Sequence, residues 1–344
     1  MGDSCPKFPG PTPLNVERYN VAIITSPQTI GVCGIGQIGL ALGLACWRSG
    51  YRVWVYGRNP QKLEKARQDL TQMDQWMASE FPDGKPRYGE LAYTSDLGSL
   101  DREADLVVEG IAEDMAVKVS LWGALAGAAA RGAILCSSTS GLSISEMGKL
   151  SGFPAQVIGT HFWNPPHLMP LVEVVAGAGT AEETIQTTMQ FCWDIGKQPV
   201  RVNIDAPGFI GNRMLHALWR EAIDIVDRGI ASPEDVDTVA KMTFGLRLPV
   251  VGPLENMDLV GLDLVHTIHR YLLADLAANR GPGRLLDELV QKGQLGMKSG
   301  AGFYDWRKRE PGALIEARDR QIARELKRLL QEKQHQASGE NKQG

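Results

Sequence analysis

One hexapeptide, Gly34-Ile-Gly-Gln-Ile-Gly39, restricts the architecture of this 344-residue chain more than any other feature. It follows the apolar run Ile30-Gly-Val-Cys33 and opens an apolar helical pattern through Ile38 to Arg48 that ends at Gly50. A second apolar run, Arg52 to Tyr56, comes next, and Pro60 begins a polar helix to about Glu80. Strand, glycine turn, helix and strand within about 30 residues make the βαβ unit of a parallel sheet. Gly34 permits the tight turn, Gly36 lets the backbone approach a pyrophosphate, and Gly39 allows helix and strand to pack closely. Gln37 and Ile38 complete the turn, where the helix N-terminus offers free N–H groups and the positive end of its dipole to phosphates. The glycine pattern alone is weak; its place between a strand and a helix makes it specific.

The alternation continues. Leu106 to Glu109, Ala133 to Cys136, Val157 to Gly159, Leu171 to Val175 and Pro199 to Val202 read as strands, with helices over Ala116 to Ala130, Ile144 to Leu150 and Ala181 to Gly196. Beyond Asp205 the texture changes to helix after helix, at Asn212 to Gly229, Ser232 to Phe244, Met257 to Leu276 and Gly283 to Lys292. The expected α/β fold is a Rossmann-type, doubly wound, mainly parallel sheet followed by an all-helical C-terminal domain. Its divisions are an N-terminal extension over 1–28, a dinucleotide-binding domain over 29–204, a helical substrate and dimerisation domain over 205–310, and a charged helix and tail over 311–344.

Bulk properties narrow the classes. A hydrophobic content of 43% over this length supports two cores. A net charge of −4 leaves no basic surplus, so neither nucleic acid nor an anionic membrane is an expected partner. Cys5, Cys33, Cys46, Cys136 and Cys192 are scattered without metal-like spacing, which fits a reducing compartment and a cytoplasmic location. The first twenty residues carry Pro6, Pro9, Pro11 and Pro13 and do not read as a secretory signal, and no stretch approaches a membrane span.

Cofactor choice is read at the end of the second strand, where NAD enzymes usually place an Asp or Glu against the ribose 2′-hydroxyl. This chain has Tyr56-Gly57-Arg58-Asn59 instead. Arg58 suits a 2′-phosphate, so NADP(H) is favoured over NAD(H), which stays open because backbone and Asn59 could meet the ribose.

The acid–base candidates lie in Gly159-Thr-His-Phe-Trp-Asn-Pro-Pro-His-Leu-Met-Pro-Leu-Val-Glu-Val-Val175. Glu173 stands inside a buried-strand pattern, where an unpartnered carboxylate costs several kcal/mol. His161 is its natural partner, and an imidazole oriented by a carboxylate is a general base near neutral pH. On this segment alone, a pair and two separately solvated side chains are balanced readings. Elsewhere, Cys136-Ser-Ser-Thr-Ser-Gly141 ends a strand at the sheet edge where doubly wound folds bind ligands, and Asp205-Ala-Pro-Gly-Phe-Ile-Gly-Asn-Arg213 sets Asn212 near the start of the first C-terminal helix. His167 lacks companions at ligand spacing, and no metal site is expected.

Together these motifs, with Val108-Glu109-Gly-Ile-Ala-Glu113, Gly252-Pro-Leu-Glu255 and Gly300-Ala-Gly-Phe-Tyr304, resemble the 3-hydroxyacyl-CoA dehydrogenase family, including its lambda-crystallin/gulonate and carnitine dehydrogenase branches, over about residues 29–307. The resemblance implies a homodimeric dehydrogenase in which His161 is the base and Glu173 its orienter. It implies that Ser140 and Asn212 hold the reacting oxygen, and that Glu109, Lys118 and Ser138 lie near the cofactor. Two departures stand out: Ser138, where the long-chain acyl-CoA branch commonly has Asn, and Arg247 amid apolar residues before Gly252-Pro253. Both look more like the branch that oxidises small free hydroxy acids. Arg247 is expected to bind a substrate carboxylate or, equally, to pair internally with Glu255. A small hydroxy or oxo acid is thus favoured as substrate over its CoA thioester. The other readings are a short-chain 3-hydroxyacyl-CoA dehydrogenase and a non-catalytic, crystallin-like cofactor-binding protein.

Overall fold

The computed structural model describes residues 21–340. Most of the proposed extension over 1–28, Cys5 included, lies outside them. The chain divides into two compact units: the first runs to Gly211 and resumes at Leu326, and the second is Asn212–Glu325.

In the first unit, β1 (Thr29–Cys33), α1 (Gln37–Arg48), β2 (Arg52–Tyr56), α2 (Pro60–Glu80), β3 (Leu91–Thr94), α3 (Leu97–Glu103) and β4 (Leu106–Glu109) form the first half of the sheet. The second half is α4 (Met115–Ala124), α5 (Ala126–Ala130), β5 (Ile134–Ser137), α6 (Ile144–Ser151), β6 (Val157–Phe162), β7 (Leu171–Ala176), α7 (Glu182–Asp194) and β8 (Gln198–Val202). The eight strands lie in the order β3-β2-β1-β4-β5-β6-β7-β8, all pairs parallel except β6 with β7. The chain order reverses between β1 and β4, which is where doubly wound sheets open a ligand crevice at their carboxyl ends.

Both faces of the central strands are covered, so β1, β4 and β5 are buried along their whole length and show no alternation. Ile30 and Val32 of β1 pack with Leu40 and Leu44 of α1, Leu70 of α2 and Phe191 of α7. Cys33 and Val107 face the other way, toward Leu100 of α3, Leu121 and Trp122 of α4 and Met147 of α6. Cys33, Cys46, Cys136 and Cys192 are free and buried, and burial pushes each thiol up, away from thiolate chemistry.

The structure departs from the sequence reading before Leu106 and at the end of the first unit. β3 and α3 fill the gap before Leu106, where the short segment Leu91-Ala-Tyr-Thr94 is too brief to show a period against its polar neighbours. Ahead of β1, Ile24 N–H donates to Gly132 O at 2.9 Å. The first unit also ends later than the change in sequence texture. Asp205 accepts from Ser143 Oγ at 2.7 Å and Ser145 N–H at 2.8 Å, which holds the 205–211 segment against α6.

The second unit holds α8 (Gly211–Asp227, its first residue closing the first unit), α9 (Pro233–Met242), α10 (Phe244–Arg247), α11 (Pro253–Val260), α12 (Leu262–Leu272) and α13 (Arg284–Gln291). The single helix expected over Met257 to Leu276 is two, broken at Gly261, whose φ of +102° no helix accommodates. α14 (Pro311–Glu340) starts in this unit, and its part from Leu326 groups with the first, where Lys327 Nζ lies 3.3 Å from Glu80. Among residues 212–325 only Ala323 is buried.

Candidate active site

The phosphate turn is built as its glycines require. Gly34 has φ +117°, and a Cβ there would lie 2.6 Å from Gly110 O. A Cβ on Gly39 would lie 2.0 Å from Gly34 O, so α1 can sit this close to the turn only without a side chain. A Cβ on Gly36 would meet nothing within 4 Å, and Gln37 and Ile38 begin α1 beside that open space. The residues present therefore fit a dinucleotide pyrophosphate: open space in front of a helix N-terminus at the reversal of strand order.

At the edge of β2, Arg58 is exposed. Asn59 is the N-cap of α2, its Oδ1 accepting from Gln61 N–H at 2.9 Å and Lys62 N–H at 3.2 Å. That oxygen is committed to the helix, which leaves Asn59 less to offer a ribose than the sequence suggested.

Glu109 ends β4 beside Cys33 of β1 and Ser137 of β5. It is buried, and Lys118 Nζ meets both its oxygens at 2.7 and 2.8 Å. Ser137 Oγ and Ile111 N–H also donate to it. Burial pushes the Glu109 carboxyl up, opposed by the Lys118 ammonium and these hydrogen bonds. Lys118 lies 3.5 Å from Glu113, whose other oxygen accepts from Thr139 Oγ1 at 2.6 Å and Ser140 N–H at 2.9 Å. The chain of contacts fixes the backbone of the Ser138–Ser140 turn; Ser138 Oγ is buried without a hydrogen bond among the described residues. Glu113 closes the Val108–Glu113 motif, and no pattern in one dimension marks it as the brace of a turn twenty-six residues on.

His161 and Glu173 face each other across the antiparallel pair of β6 and β7, in direct register. His161 Nδ1 and Glu173 Oε2 are 2.7 Å apart, and both side chains are buried, at 5% and 1% exposure. Separate solvation of the two is therefore excluded. Glu173 Oε2 also accepts from Trp163 Nε1 at 3.3 Å, and Oε1 accepts from the N–H groups of Ile210 at 2.8 Å and Gly211 at 3.0 Å. Burial pushes this carboxyl up, and the hydrogen bonds from His161, Gly211 and Ile210 outweigh it, leaving Glu173 below the usual carboxylate range. A Cβ on Gly211 would strike the Trp163 indole at 2.2 Å, which is why this N–H can reach the carboxylate. Phe209, at φ +50° and buried, sets its ring 5.7 Å from the imidazole. A non-glycine residue held in that region carries local strain, a feature that gathers at functional sites.

Nδ1 is occupied, and Nε2 has no hydrogen-bond partner among the described residues. β5 and β6 are parallel neighbours with Ser137 opposite Gly159, so Ser140 and His161 share the carboxyl edge of the sheet. Asn212 opens the second unit. Arg247 is exposed, and among the described residues it makes no pair with Glu255. Glu255 Oε2 instead accepts from Gly252 N–H at 2.7 Å and caps α11. Among the described residues no group of three or more side chains could hold a metal, and no helix is long and apolar enough to cross a membrane.

A dinucleotide crevice beside a carboxylate-oriented histidine defines an oxidoreductase acting on a CH–OH group. Residues 29–205 match the model of the 3-hydroxyacyl-CoA dehydrogenase NAD binding domain and residues 208–306 that of its C-terminal domain, and the chain belongs to the 3-hydroxyacyl-CoA dehydrogenase family. It is 37% identical over 286 residues to a probable 3-hydroxybutyryl-CoA dehydrogenase of Bacillus subtilis, covering 81% of this chain and 97% of that one. It is 32% identical over 305 residues to 5-formyl-3-hydroxy-2-methylpyridine 4-carboxylate 5-dehydrogenase of Mesorhizobium japonicum, covering 88% of this chain and 98% of the relative. A crystal structure of a dehydrogenase for that pyridine acid, described as an NAD+ dependent dismutase, superposes with a TM-score of 0.82 at 32% identity, over 89% of this chain and 99% of the other. The (S)-3-hydroxybutyryl-CoA dehydrogenase of Ralstonia eutropha gives 0.67 at 27% identity, over 82% and 99%.

Proposed function

We propose that this protein interconverts a small hydroxy acid bearing a free carboxylate and the corresponding oxo compound, with His161 as general base and Glu173 as its orienter. The observation that carries the reading is the 2.7 Å contact between His161 Nδ1 and Glu173 in a buried, register-fixed pair. In oxidation, His161 Nε2 takes the hydroxyl proton, and Glu173 stabilises the imidazolium that forms. In reduction the imidazolium returns that proton to the forming alkoxide. Ser140 and Asn212 hold the oxygen as its charge changes, each contact contributing about 2–4 kcal/mol to the transition state. The nicotinamide ring, when bound, supplies the hydride acceptor or donor. Gly34, Gly36, Gln37, Ile38 and Gly39 cradle its pyrophosphate, while Glu109, Lys118 and Ser138 line the approach from the central strands.

Two observations favour a free carboxylate over a CoA thioester. Arg247 is an exposed guanidinium without an ion pair among the described residues, and bidentate carboxylate binding suits it. The pyridine carboxylate dehydrogenase also superposes better than the 3-hydroxybutyryl-CoA enzyme of Ralstonia eutropha. For the cofactor, exposed Arg58 and the missing acid after β2 favour NADP(H). NAD(H) is the second reading, because the pyridine acid dehydrogenase is described as NAD+ dependent.

The protein acts as a homodimer in the cytoplasm. The apolar side chains of the second unit support the dimer: Trp219, Val239, Met242, Leu254 and Leu259 are exposed, and a cavity of about 1060 Å³ opens beside Trp219, Val236, Leu286 and Phe303. A unit of this size with one buried residue is completed by a second copy's apolar surface.

The test is a screen of short 3-hydroxy acids and aromatic hydroxy and formyl carboxylates against their CoA thioesters, each with NADP+ and NAD+. Higher kcat/KM for a free acid is expected, with Arg247→Ala raising KM for it at least tenfold. Turnover of thioesters alone transfers the assignment to a short-chain 3-hydroxyacyl-CoA dehydrogenase. Cofactor binding without turnover of anything leaves the non-catalytic reading.

A further inference from the structure

The first unit buries two lysines, and only one of them has a carboxylate. Lys118 has Glu109 and Glu113. Lys197, in the turn between α7 and β8, is 7% exposed and has no ion pair among the described residues. Its Nζ donates to two backbone carbonyls, Pro166 O at 2.6 Å and Met169 O at 2.9 Å. Cys46 of α1 and Cys192 of α7 act on it electrostatically and both are protonated thiols, and His167 lies in the connection whose carbonyls it meets. Burying an ammonium against neutral partners is costly, so an apolar residue of similar length would be the stable choice if packing were its only task.

Both carbonyls belong to the connection 163–170 that joins β6 to β7. That segment carries Pro165, Pro166 and Pro170, which have no N–H to give. Leu168 N–H and Met169 N–H both turn back to Pro165 O, at 3.0 and 2.9 Å. Among the described residues no backbone N–H is bonded to Pro166 O or Met169 O, so the ammonium is their donor. The segment begins at Trp163, whose indole donates to the same Glu173 oxygen that meets His161. It ends at Pro170, whose carbonyl accepts from Gln198 N–H at 2.8 Å, the residue after Lys197. Lys197 and Gln198 thus grip one connection at three carbonyls, and that connection bears directly on the histidine's carboxylate.

We propose that Lys197 is a positioning residue: its ammonium holds the 163–170 connection so that Trp163, Glu173 and His161 keep the geometry needed for proton transfer. The inference rests on the reading of His161 as the base. Burial holds the ammonium down at about 8. In the folded chain the lysine therefore surrenders its proton at lower pH than in the unfolded chain, and its burden on stability is full below that pH and lifts as pH rises through it.

The experiment compares the full chain with Lys197→Met by steady-state kinetics, cofactor titration, hydrogen exchange and thermal melting from pH 7 to 9. Expected are a kcat at least tenfold lower, unchanged cofactor Kd, faster exchange at Leu168 and Met169, and unchanged exchange in β1 and β4. The stability of the native protein relative to the variant should improve as pH rises through about 8. Unaltered kcat and unaltered exchange at Leu168 and Met169 would overturn the proposal and leave Lys197 a packing residue. If Lys197→Met does not fold, Lys197→Gln, which removes the charge and shortens the reach to the carbonyls, reads the same quantities. Loss of the wild-type reaction itself would remove the base assignment, whereas the exchange of Leu168 and Met169 judges the grip without any turnover.

Discussion

Glu173 shows how four modest contacts decide the state of one buried group. It accepts from the imidazole, an indole and two backbone N–H groups, which leaves no lone pair facing an apolar wall. Glu173→Gln keeps the shape but cannot stabilise an imidazolium and must turn an NH2 toward one set of donors. Its kcat should fall by about 100-fold or more with cofactor Kd unchanged, as stopped-flow and titration would show. Stability should respond to acid in a definite sense. A carboxyl held below its unfolded value contributes stability that is present above the unfolded pKa of 4.5 and is lost as pH falls through the folded one. Melting temperature against pH should therefore drop more gently below pH 4.5 in Glu173→Gln than in the native protein, and equal slopes would contradict the charge state assigned here. At this scale the sequence was informative where chemistry is concentrated. The glutamate in an apolar strand made His161 its natural partner, because a buried carboxylate demands one, but separate solvation stayed an equal reading until the strand register excluded it. Trp163, Glu113 and Lys197 gave no such signal: a tryptophan, an exposed acid and a lysine beside a turn are ordinary in sequence, and only the folded chain brings them to a carboxylate, a serine turn and two orphan carbonyls.

Elements were legible in proportion to their length and period. α1 and its glycine turn stood out because the tight turn, the open approach and the close packing each require a missing side chain. β3 did not, being four residues with intermediate burial. The break between α11 and α12 is visible only afterwards, since an isolated glycine inside a helical pattern is often tolerated. The best-defined test at this scale is the start of α2. Asn59 caps two N–H groups there, and Asn59→Ala should cost about 1 kcal/mol of stability, measured by urea denaturation. Because the same turn carries Arg58, the variant should also weaken NADP(H) binding more than NAD(H) binding in paired titrations. Equal weakening of both would separate the cap from cofactor choice.

For the whole molecule, the two units differ in what they can do alone. The first has a core on each face of an eight-stranded sheet; the second has helices with apolar residues at the surface and one buried side chain. Light scattering coupled to gel filtration should give twice the 37.5 kDa chain mass, and melting temperature should rise with protein concentration, as it does when folding and association are linked. A monomer with concentration-independent melting would refute the dimer. The division into a sheet and a helical part was readable from the switch in periodicity, but the lack of an internal core in the second was not. Apolar positions at helical spacing look the same whether they meet their own chain or another.

The register of β6 and β7 has a consequence for descent. His161 and Glu173 are twelve residues apart and are matched by strand pairing, so a slip of one residue would turn the glutamate to the opposite face. The histidine and its buried carboxylate are consequently inherited as a single locus. Recombination anywhere outside this short hairpin transmits them together, and the rest of the gene can vary without separating the pair.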